Sequence, residues 1–169
     1  KINLIIEVEE KQTGTFNAGV SVGTLDGFAI VTGLRERNFY GTGRSLDILL
    51  NTSDDKNQFK LITTDRLSYE NDADISYSVN YKQEDFSKAS SYKVDTLSSG
   101  IGIGYEISNN LYHNIDFEYA LKDYKITNSS TVSNTILNSS GSNASFLIKN
   151  NIRYSSLNRG FILKNGNFI

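Results

Sequence analysis

The chain has 169 residues, no cysteine, and a net charge of −2 from 17 basic and 19 acidic side chains. This length allows one domain with a sizeable core, the near-neutral charge gives no reason to expect nucleic acid as a partner, and the lack of cysteine excludes disulfides and Cys-ligated zinc. No run approaches the ~18–20 apolar residues of a membrane-spanning helix. A mean hydropathy of −0.36 fits a soluble protein, and it equally fits a membrane β-barrel, in which only alternate residues meet lipid.

Apolar and polar residues alternate with a period of two along most of the chain, which predicts β-strands. A first strand covers residues 2–9. After a polar interval, the next strand runs from Thr15 to Gly23. One side of it is apolar and the other is small or polar: Phe16, Ala18, Val20 and Val22 against Thr15, Asn17, Gly19, Ser21 and Gly23. The Asp26-Gly27 pair that follows predicts a hairpin.

Seven further strands are predicted, which makes about eight after Gly14. They cover residues 28–35, 44–52, 58–64, 74–82, 92–107, 111–122 and 144–154. The apolar phase slips between Val94 and Leu97, which predicts a bulge there. Several strands reach ten residues or more, whereas soluble strands usually have ~5–6 and membrane-barrel strands need ~9–11 to cross. The pattern therefore favours a membrane barrel, and Phe168–Ile169 resembles the start of another strand.

Aromatic and charged residues follow the same alternation. Two aromatic belts, one at each interface, are expected of strands that cross a membrane. The links between strands are numbered in chain order, and the hairpin at Asp26-Gly27 is the first. The belt candidates are Phe39, Tyr40, Tyr69, Tyr105, Tyr112 and Tyr154 near the even-numbered links, and Tyr81, Phe86, Tyr92, Tyr119 and Tyr124 near the odd-numbered links. Charged residues on the opposite, lumen-facing side are expected to be Asp47, Asp74, Asp116, Glu118, Lys82, Lys122 and Lys149.

Two stretches carry a resemblance to a known family. Thr13-Gly14-Thr15-Phe16 leads into the strand Thr15–Gly23, and the turn after the following strand reads Asn38-Phe39-Tyr40-Gly41-Thr42-Gly43. Together with the hairpin between them, they resemble the start of the barrel in BamA-type outer-membrane protein assembly factors. Residues 154–166 resemble, less closely, the turn after the eighth strand of that barrel.

The resemblance implies an all-β fold, namely an antiparallel transmembrane β-barrel fragment with about eight of sixteen strands, preceded by the last strand of a POTRA domain. Residues 1–13 would be the end of the last POTRA domain, and residues 14–169 the N-terminal half of the barrel. The chain would lie in the bacterial outer membrane. Its first barrel strand would form a lateral seam that templates client strands by β-augmentation. No enzyme activity, cofactor or metal is implied.

The site residues implied by the resemblance fall into two groups. The seam residues, which would bind the substrate strand, are Thr15, Phe16, Asn17, Ala18, Gly19, Val20, Ser21, Val22 and Gly23, and the family turn motif is Asn38, Phe39, Gly41 and Gly43. The partners would be unfolded outer-membrane protein clients, outer-membrane lipid and periplasmic assembly lipoproteins. Glycine weakens a strand by roughly 0.5–1 kcal/mol relative to alanine, so the seam would open readily; alternatively, Gly19 and Gly23 relieve crowding in a curved sheet.

The remaining sequence features indicate neither a catalytic site nor a metal or cofactor site. His113 is the only histidine and falls on the apolar side, so an interfacial position is favoured over a metal ligand. The alternation Gly100–Gly104 predicts a strand with a clear inner face rather than a dinucleotide loop. Two other classes remain open: a complete eight-stranded outer-membrane barrel with a structural or adhesion role, and a soluble β-sandwich or lipocalin-like binder.

Overall fold

The computed structural model of the chain describes residues 12–23, 27–68 and 73–155. The predicted strands at residues 2–9 and 168–169 lie outside these ranges. Within them, the chain forms one antiparallel sheet of eight strands in which each strand pairs with its neighbours in sequence. The strands are β1 (Gly14–Gly23), β2 (Gly27–Glu36), β3 (Arg44–Ser53), β4 (Lys56–Ser68), β5 (Ala73–Asp85), β6 (Tyr92–Ser108), β7 (Leu111–Ile126) and β8 (Gly141–Tyr154). The predicted all-β, antiparallel architecture is confirmed.

Consecutive strands pair without a change of register, except at two places. The register shifts between Asp65 and Ser68 in the β4–β5 pair, and between Glu106 and Ser108 in the β6–β7 pair. The bulge predicted next to Val94 is absent, because both neighbouring strands pair through this stretch without a shift. Val94 instead turns its side chain to the polar face of the sheet, where it is buried.

β1 and β8 are the two edges of the sheet. A closed eight-stranded barrel would need these strands to pair, and the described residues contain no such pairing. A β-sandwich would need a second sheet packed on the first, whereas the strands of the described ranges form a single sheet. The open sheet therefore argues against both alternatives to a larger barrel.

The register puts most of the large apolar residues of the eight strands on one face, the apolar face. Cross-strand pairs such as Leu61–Val79 and Ile101–Phe117 lie on it. This face exposes large side chains: Phe16, Val20, Val22, Phe28, Ile30, Leu34, Leu50, Phe59, Tyr77, Val79, Tyr81, Leu97, Ile101, Ile103, Phe117, Tyr119, Leu121, Phe146, Ile148, Ile152 and Tyr154. Monomeric soluble proteins rarely expose so large a contiguous apolar surface, so the face requires an apolar environment.

The height of the apolar face fits a bilayer. On β7, the residues of this face run from Leu111 to Leu121, a span of about 34 Å at about 3.4 Å per residue. A strand tilt of about 40° reduces the span to about 26 Å along the membrane normal, close to the ~25 Å apolar band of outer-membrane barrels.

Ion pairs border the apolar face at both ends. At the end that carries the odd-numbered links, Lys125 Nζ lies 2.5 Å from Asp95 Oδ2. At the opposite end, Arg44 Nε lies 2.9 Å from Asp65 Oδ2. Exposed salt bridges contribute little stability. The positions of these two pairs mark the two borders at which the apolar face ends and water begins.

The opposite face of the sheet, the polar face, carries the charged residues predicted to line a lumen. The register puts every one of them there: Asp47, Asp74, Asp116, Glu118, Lys82, Lys122 and Lys149. Cross-strand contacts connect several of them. Lys149 Nζ lies 2.7 Å from Glu118 Oε2, and the Tyr112 hydroxyl donates to Asp74 at 3.0 Å.

Three glycines of β6, Gly100, Gly102 and Gly104, lie on the polar face. A Cβ at position 100 would lie 2.8 Å from Ser78 Oγ and 3.0 Å from the carbonyl oxygen of Phe117. A Cβ at either of the other two positions would also collide with side-chain atoms of neighbouring strands. The glycines therefore make room for polar side chains, and the prediction of a strand with a clear inner face is confirmed.

The odd-numbered links carry two short helices, α1 (Ser87–Ser90) and α2 (Asn134–Asn138). The links contact each other: Thr127 N donates to the Ser91 carbonyl at 2.9 Å, and Lys88 Nζ lies 3.1 Å from Asp55 Oδ1. Hydrogen bonding to Asp55 raises the pKa of Lys88. Among the described residues, no helix has the length and apolar character to cross a membrane.

The link that contains α2 reaches the polar face. Its Ile136 side chain lines a cavity of about 430 Å³ together with Val94, Tyr124 and Leu147. Another apolar residue of the same link, Val132, is only 8% exposed. This apolar cover explains why Val94 can face the polar side, which the alternation alone did not predict.

The aromatic belts are confirmed in part. Tyr81, Tyr105, Tyr119 and Tyr154 lie on the apolar face near its two ends. The prediction is wrong for Tyr92, Tyr112 and Tyr124, which the register puts on the polar face. There Tyr92 packs near the Tyr124 ring at 6.1 Å and Tyr112 has a carboxylate partner. Tyr69 lies outside the described residues.

Candidate functional site at the edge strand

The predicted seam residues, Thr15–Gly23, lie on the edge strand β1. Every residue of β1 is exposed, and Val22 reaches 82% exposure. β1 pairs with β2 from Gly14 to Gly23 without interruption. Because antiparallel strands direct their N–H and C=O groups alternately to the two sides, about half of the backbone polar groups of β1 point away from β2. In the part of the chain that the structure describes, no strand pairs with them.

β1 contains three glycines, Gly14, Gly19 and Gly23, and no charged residue. An added Cβ at position 19 would meet no heavy atom within 4 Å. Crowding by the described residues therefore does not explain Gly19. Glycine at this position lowers the stability of the strand relative to alanine.

A cavity of about 450 Å³ opens on the polar face beside β1. Its walls come from β1 to β4: Thr15, Asn17, Gly33, Leu34, Arg35, Arg37, Asp47, Ile48, Leu49, Lys60 and Ile62. Arg35 forms an ion pair with Asp47. The other two cationic residues of the lining are Arg37 and Lys60, and Asp47 is the one acidic residue among those that line this cavity. The polar face next to the edge strand is therefore positively charged.

The predicted turn motif links β2 to β3 at the end of the sheet where β1 begins. Its Asn38 side chain holds the turn closed, because Asn38 Oδ1 accepts from Gly43 N at 2.7 Å. Gly41 and Gly43 have φ values of 70° and 76°, a backbone conformation that glycine adopts without steric cost. Phe39 and Tyr40 stack edge to face with ring centroids 4.5 Å apart. The motif residues are thus brought together in one compact turn.

Glu36, which was not predicted as a site residue, connects this turn to the start of β1. Its Oε1 accepts from the Thr13 hydroxyl and from Asn38 N, the latter at 2.9 Å. Gly14 leaves room for the carboxylate, since a Cβ there would lie 2.9 Å from Glu36 Oε2. The sequence offered no signal for this contact, because the cross-strand register that brings Thr13 to Glu36 is not visible from either residue alone.

The other edge strand, β8, differs from β1 in its side-chain contacts. Lys149 of β8 lies 2.7 Å from Glu118 of β7, and the Arg153 guanidinium lies 5.2 Å from the centre of the Tyr112 ring. No charged side chain of β1 is available for such contacts. Of the two edges, β1 is therefore held by fewer contacts of charged side chains.

His113 lies on the apolar face near its end, where the Tyr105 hydroxyl and His113 Nδ1 are 2.9 Å apart. This agrees with the predicted interfacial position. Within residues 12–23, 27–68 and 73–155, no group of three or more His, Asp or Glu side chains is arranged to hold a metal ion.

Comparison with known proteins identifies the family. The Omp85 superfamily domain matches residues 38–169, which is most of the chain. The fold is similar to the crystal structure of BamA from Haemophilus ducreyi lacking POTRA domains 1–3, with a TM-score of 0.61 at 18% sequence identity. The alignment covers 92% of this chain and 32% of that chain. The predicted BamA-type resemblance is confirmed, and the chain belongs to the Omp85 superfamily and is a protein of the bacterial outer membrane.

Proposed function

We propose that this chain is the strand-templating part of an outer-membrane protein insertion factor. β1 forms the lateral seam, and its residues Thr15–Gly23 bind the incoming strand of an unfolded client. The observation that carries the proposal is the edge position of β1, which is exposed along its whole length and, among the described strands, pairs only with β2. An unpaired edge is ordinarily an aggregation hazard; here it is the binding site.

The backbone supplies the affinity in this mechanism. A client strand that aligns with β1 satisfies the outward N–H and C=O groups of both strands, which is β-augmentation. In a bilayer each unsatisfied group costs several kcal/mol, so pairing is strongly favoured and depends little on client sequence. Burial of client side chains in lipid contributes further free energy. No covalent chemistry is required.

The choice of β1 over β8 has a physical basis. Gly19 weakens β1, and its side-chain space is empty. β1 is also the shorter of the two edge strands, with 10 residues against 14 in β8. A short, glycine-containing strand separates from its neighbours at lower cost than a long one, since it gives up fewer contacts.

The domain organisation that accompanies this function assigns residues 1–13 to the end of a POTRA domain and residues 14–169 to the N-terminal half of the barrel. The apolar face contacts outer-membrane lipid, and the polar face contributes to the lumen. Periplasmic assembly lipoproteins are the partners expected at the end of the sheet where β1 begins.

Disulfide trapping tests the proposal, because the chain has no native cysteine. Ser21→Cys puts a thiol on β1, and the matched control Ser145→Cys puts one on β8; both serines are exposed and lie on the polar face. A paired client strand would run about 4.8 Å from β1, within reach of a disulfide. The full-length protein is reconstituted in liposomes and supplied with a client barrel that carries one strand cysteine.

We expect cross-links at position 21 that recur at every second client residue, and several-fold fewer at position 145. Asn17→Cys provides a second β1 position if Ser21→Cys fails to insert. Equal trapping at positions 21 and 145, or trapping without strand periodicity, would refute the assignment of β1 as the client-binding edge.

A further inference from the structure

β1 leaves the register of a paired strand open. Its polar-face side chains are small and uncharged, namely Thr15, Asn17, Gly19, Ser21 and Gly23. Glycine-rich strands specify register weakly, and a shift by two residues keeps the same side chains on each face. Such a shift costs little backbone pairing. The register of a captured client strand is therefore decided by a feature beside β1.

Arg37 brings a positive charge to the polar face beside β1. It follows Glu36, the last residue of β2, and is exposed. Arg37 lines the cavity of about 450 Å³ that also borders Thr15 and Asn17 of β1. Within the described ranges of the chain, it belongs to no ion pair. A positive charge without an acidic partner therefore lies beside the edge strand.

The other two cations of this cavity have acidic neighbours. Arg35 is turned to Asp47 on β3, away from β1. Lys60 lies on β4, three strands from the edge, and it also lines a second cavity with Asp116 and Glu118. Both side chains are therefore directed to charges in the interior of the sheet, and neither is as available to a client strand as Arg37.

The polar-face side chains of a paired client would lie next to Arg37. A client strand on the free edge runs about 4.8 Å from β1 and leaves the pairing of β1 with β2 unchanged. Every second client side chain then points to the polar face, beside Thr15 or Asn17. These two side chains are short, and Gly33 behind them has open space, since an added Cβ would lie 3.9 Å from the Ile48 carbonyl oxygen. A client carboxylate beside Thr15 would therefore border the cavity that Arg37 lines.

We propose that Arg37 sets the register of the captured strand by attracting a carboxylate on the lumen-facing side of the client. The client class is a strand with Asp or Glu at the residue that lies beside Thr15, near the Asn38–Gly43 turn. The inference rests on the proposed function, since it requires a client on the free edge of β1. It adds a preference among registers, which backbone pairing does not supply.

A weak attraction is sufficient for this role. Exposed ion pairs contribute little stability, whereas unpaired backbone groups in a bilayer are costly. The carboxylate therefore adds little to the affinity for a client. Registers that differ by two residues have nearly equal backbone pairing, so a small electrostatic difference decides between them.

Disulfide trapping at position 21 measures the register. The full-length protein with Ser21→Cys is reconstituted in liposomes at low salt. Three client barrels carry a single Asp at inward-facing positions of the edge strand that are two residues apart, with Asn at the other two positions, and each client is scanned with single cysteines. The best-trapped cysteine should move by two residues whenever the Asp moves by two, with a preference of about 2- to 5-fold over the neighbouring registers.

One variant, its control and a salt titration identify the cation. Arg37→Gln should abolish the preference and leave the total yield of cross-links nearly unchanged. Lys122→Gln removes a cation from the polar face of β7 and should keep the preference. Raising the salt to about 1 M shortens the Debye length to ~3 Å and should abolish the preference without any change at position 37, which covers the case in which Arg37→Gln fails to insert.

Two results would overturn the inference: a best-trapped cysteine that stays the same wherever the Asp is placed, or a preference that survives Arg37→Gln. Trapping at position 21 would still recur at every second client residue in both cases, and the proposed function would stand. Trapping without periodicity in all three clients would instead refute β1 as the client-binding edge.

Discussion

Replacing Gly19 by alanine should stabilise β1 and slow client capture. Position 19 accepts a Cβ without contact within 4 Å, and its backbone is not among those with positive φ. Alanine should therefore give the full benefit of about 0.5–1 kcal/mol that glycine forfeits in a strand. This free energy corresponds to an opening equilibrium that is about 2- to 5-fold less favourable.

Gly100→Ala makes the same substitution on the polar face of the interior strand β6 and serves as the contrasting variant. Its Cβ would lie 2.8 Å from Ser78 Oγ and 3.0 Å from the Phe117 carbonyl oxygen, and the carbonyl belongs to backbone that cannot move freely. Overpacking of this kind typically costs about 1–3 kcal/mol. The same substitution should thus have opposite signs at positions 19 and 100.

Two measurements check the pair of variants. Urea unfolding of the full-length protein in detergent micelles should move to higher midpoint for Gly19→Ala and to lower midpoint for Gly100→Ala. The initial rate of client trapping at position 21 should fall about 2- to 5-fold in the Gly19→Ala background. Gly19→Ala could slow hydrogen exchange of the β1 amides and leave the rate of client trapping unchanged. That result would show that client binding does not require opening of β1, and it would contradict the functional role given to Gly19.

Three other substitutions probe the faces, the turn and the link. Ile101→Lys puts a charge in the middle of the apolar face and should cost about 2–4 kcal/mol in liposomes, whereas Asn80→Lys on the polar face should cost far less; equal costs by urea titration would contradict the assignment of the faces. Asn38→Ala removes the acceptor of Gly43 N and should lower stability by about 1 kcal/mol, which an unchanged urea midpoint would exclude. Val132→Ser should loosen the link around α2, since Val132 is buried, and limited proteolysis between β7 and β8 should accelerate; an unaltered cleavage rate would show that this link is not held by apolar contact.

Alternation along the chain was sufficient to predict the eight strands and the face to which most of their side chains point. The predicted strand Arg44–Thr52 differs from β3 by one residue, and the predicted strand over residues 111–122 begins where β7 begins. The prediction of the faces succeeds because each strand has one apolar side, and a register shift of one residue would exchange the two sides. Strand ends were less predictable, as β4 and β7 continue to Ser68 and Ile126, past their predicted ends at residues 64 and 122.

What the sequence did not predict depends on contacts between distant residues. Val94 appeared to be out of phase, and the interpretation as a bulge was wrong, because Ile136 of a remote link lines the same cavity on the polar face. Glu36 was missed for the same reason, since its partner Thr13 reaches it only through the β1–β2 register. Period-two patterns report which side a residue faces, and they carry no information on what covers it.

The uninterrupted order of the sheet has a consequence for how the protein assembles. Each described strand finds its partner next to itself in sequence, so the sheet has low contact order and can grow one hairpin at a time. Only the closure of a barrel requires the ends of a long chain to meet, and that step carries most of the loop-closure entropy. In the proposed barrel, β1 pairs with β2 through a short hairpin and with the closing strand only in the last step, which leaves its second edge free until closure.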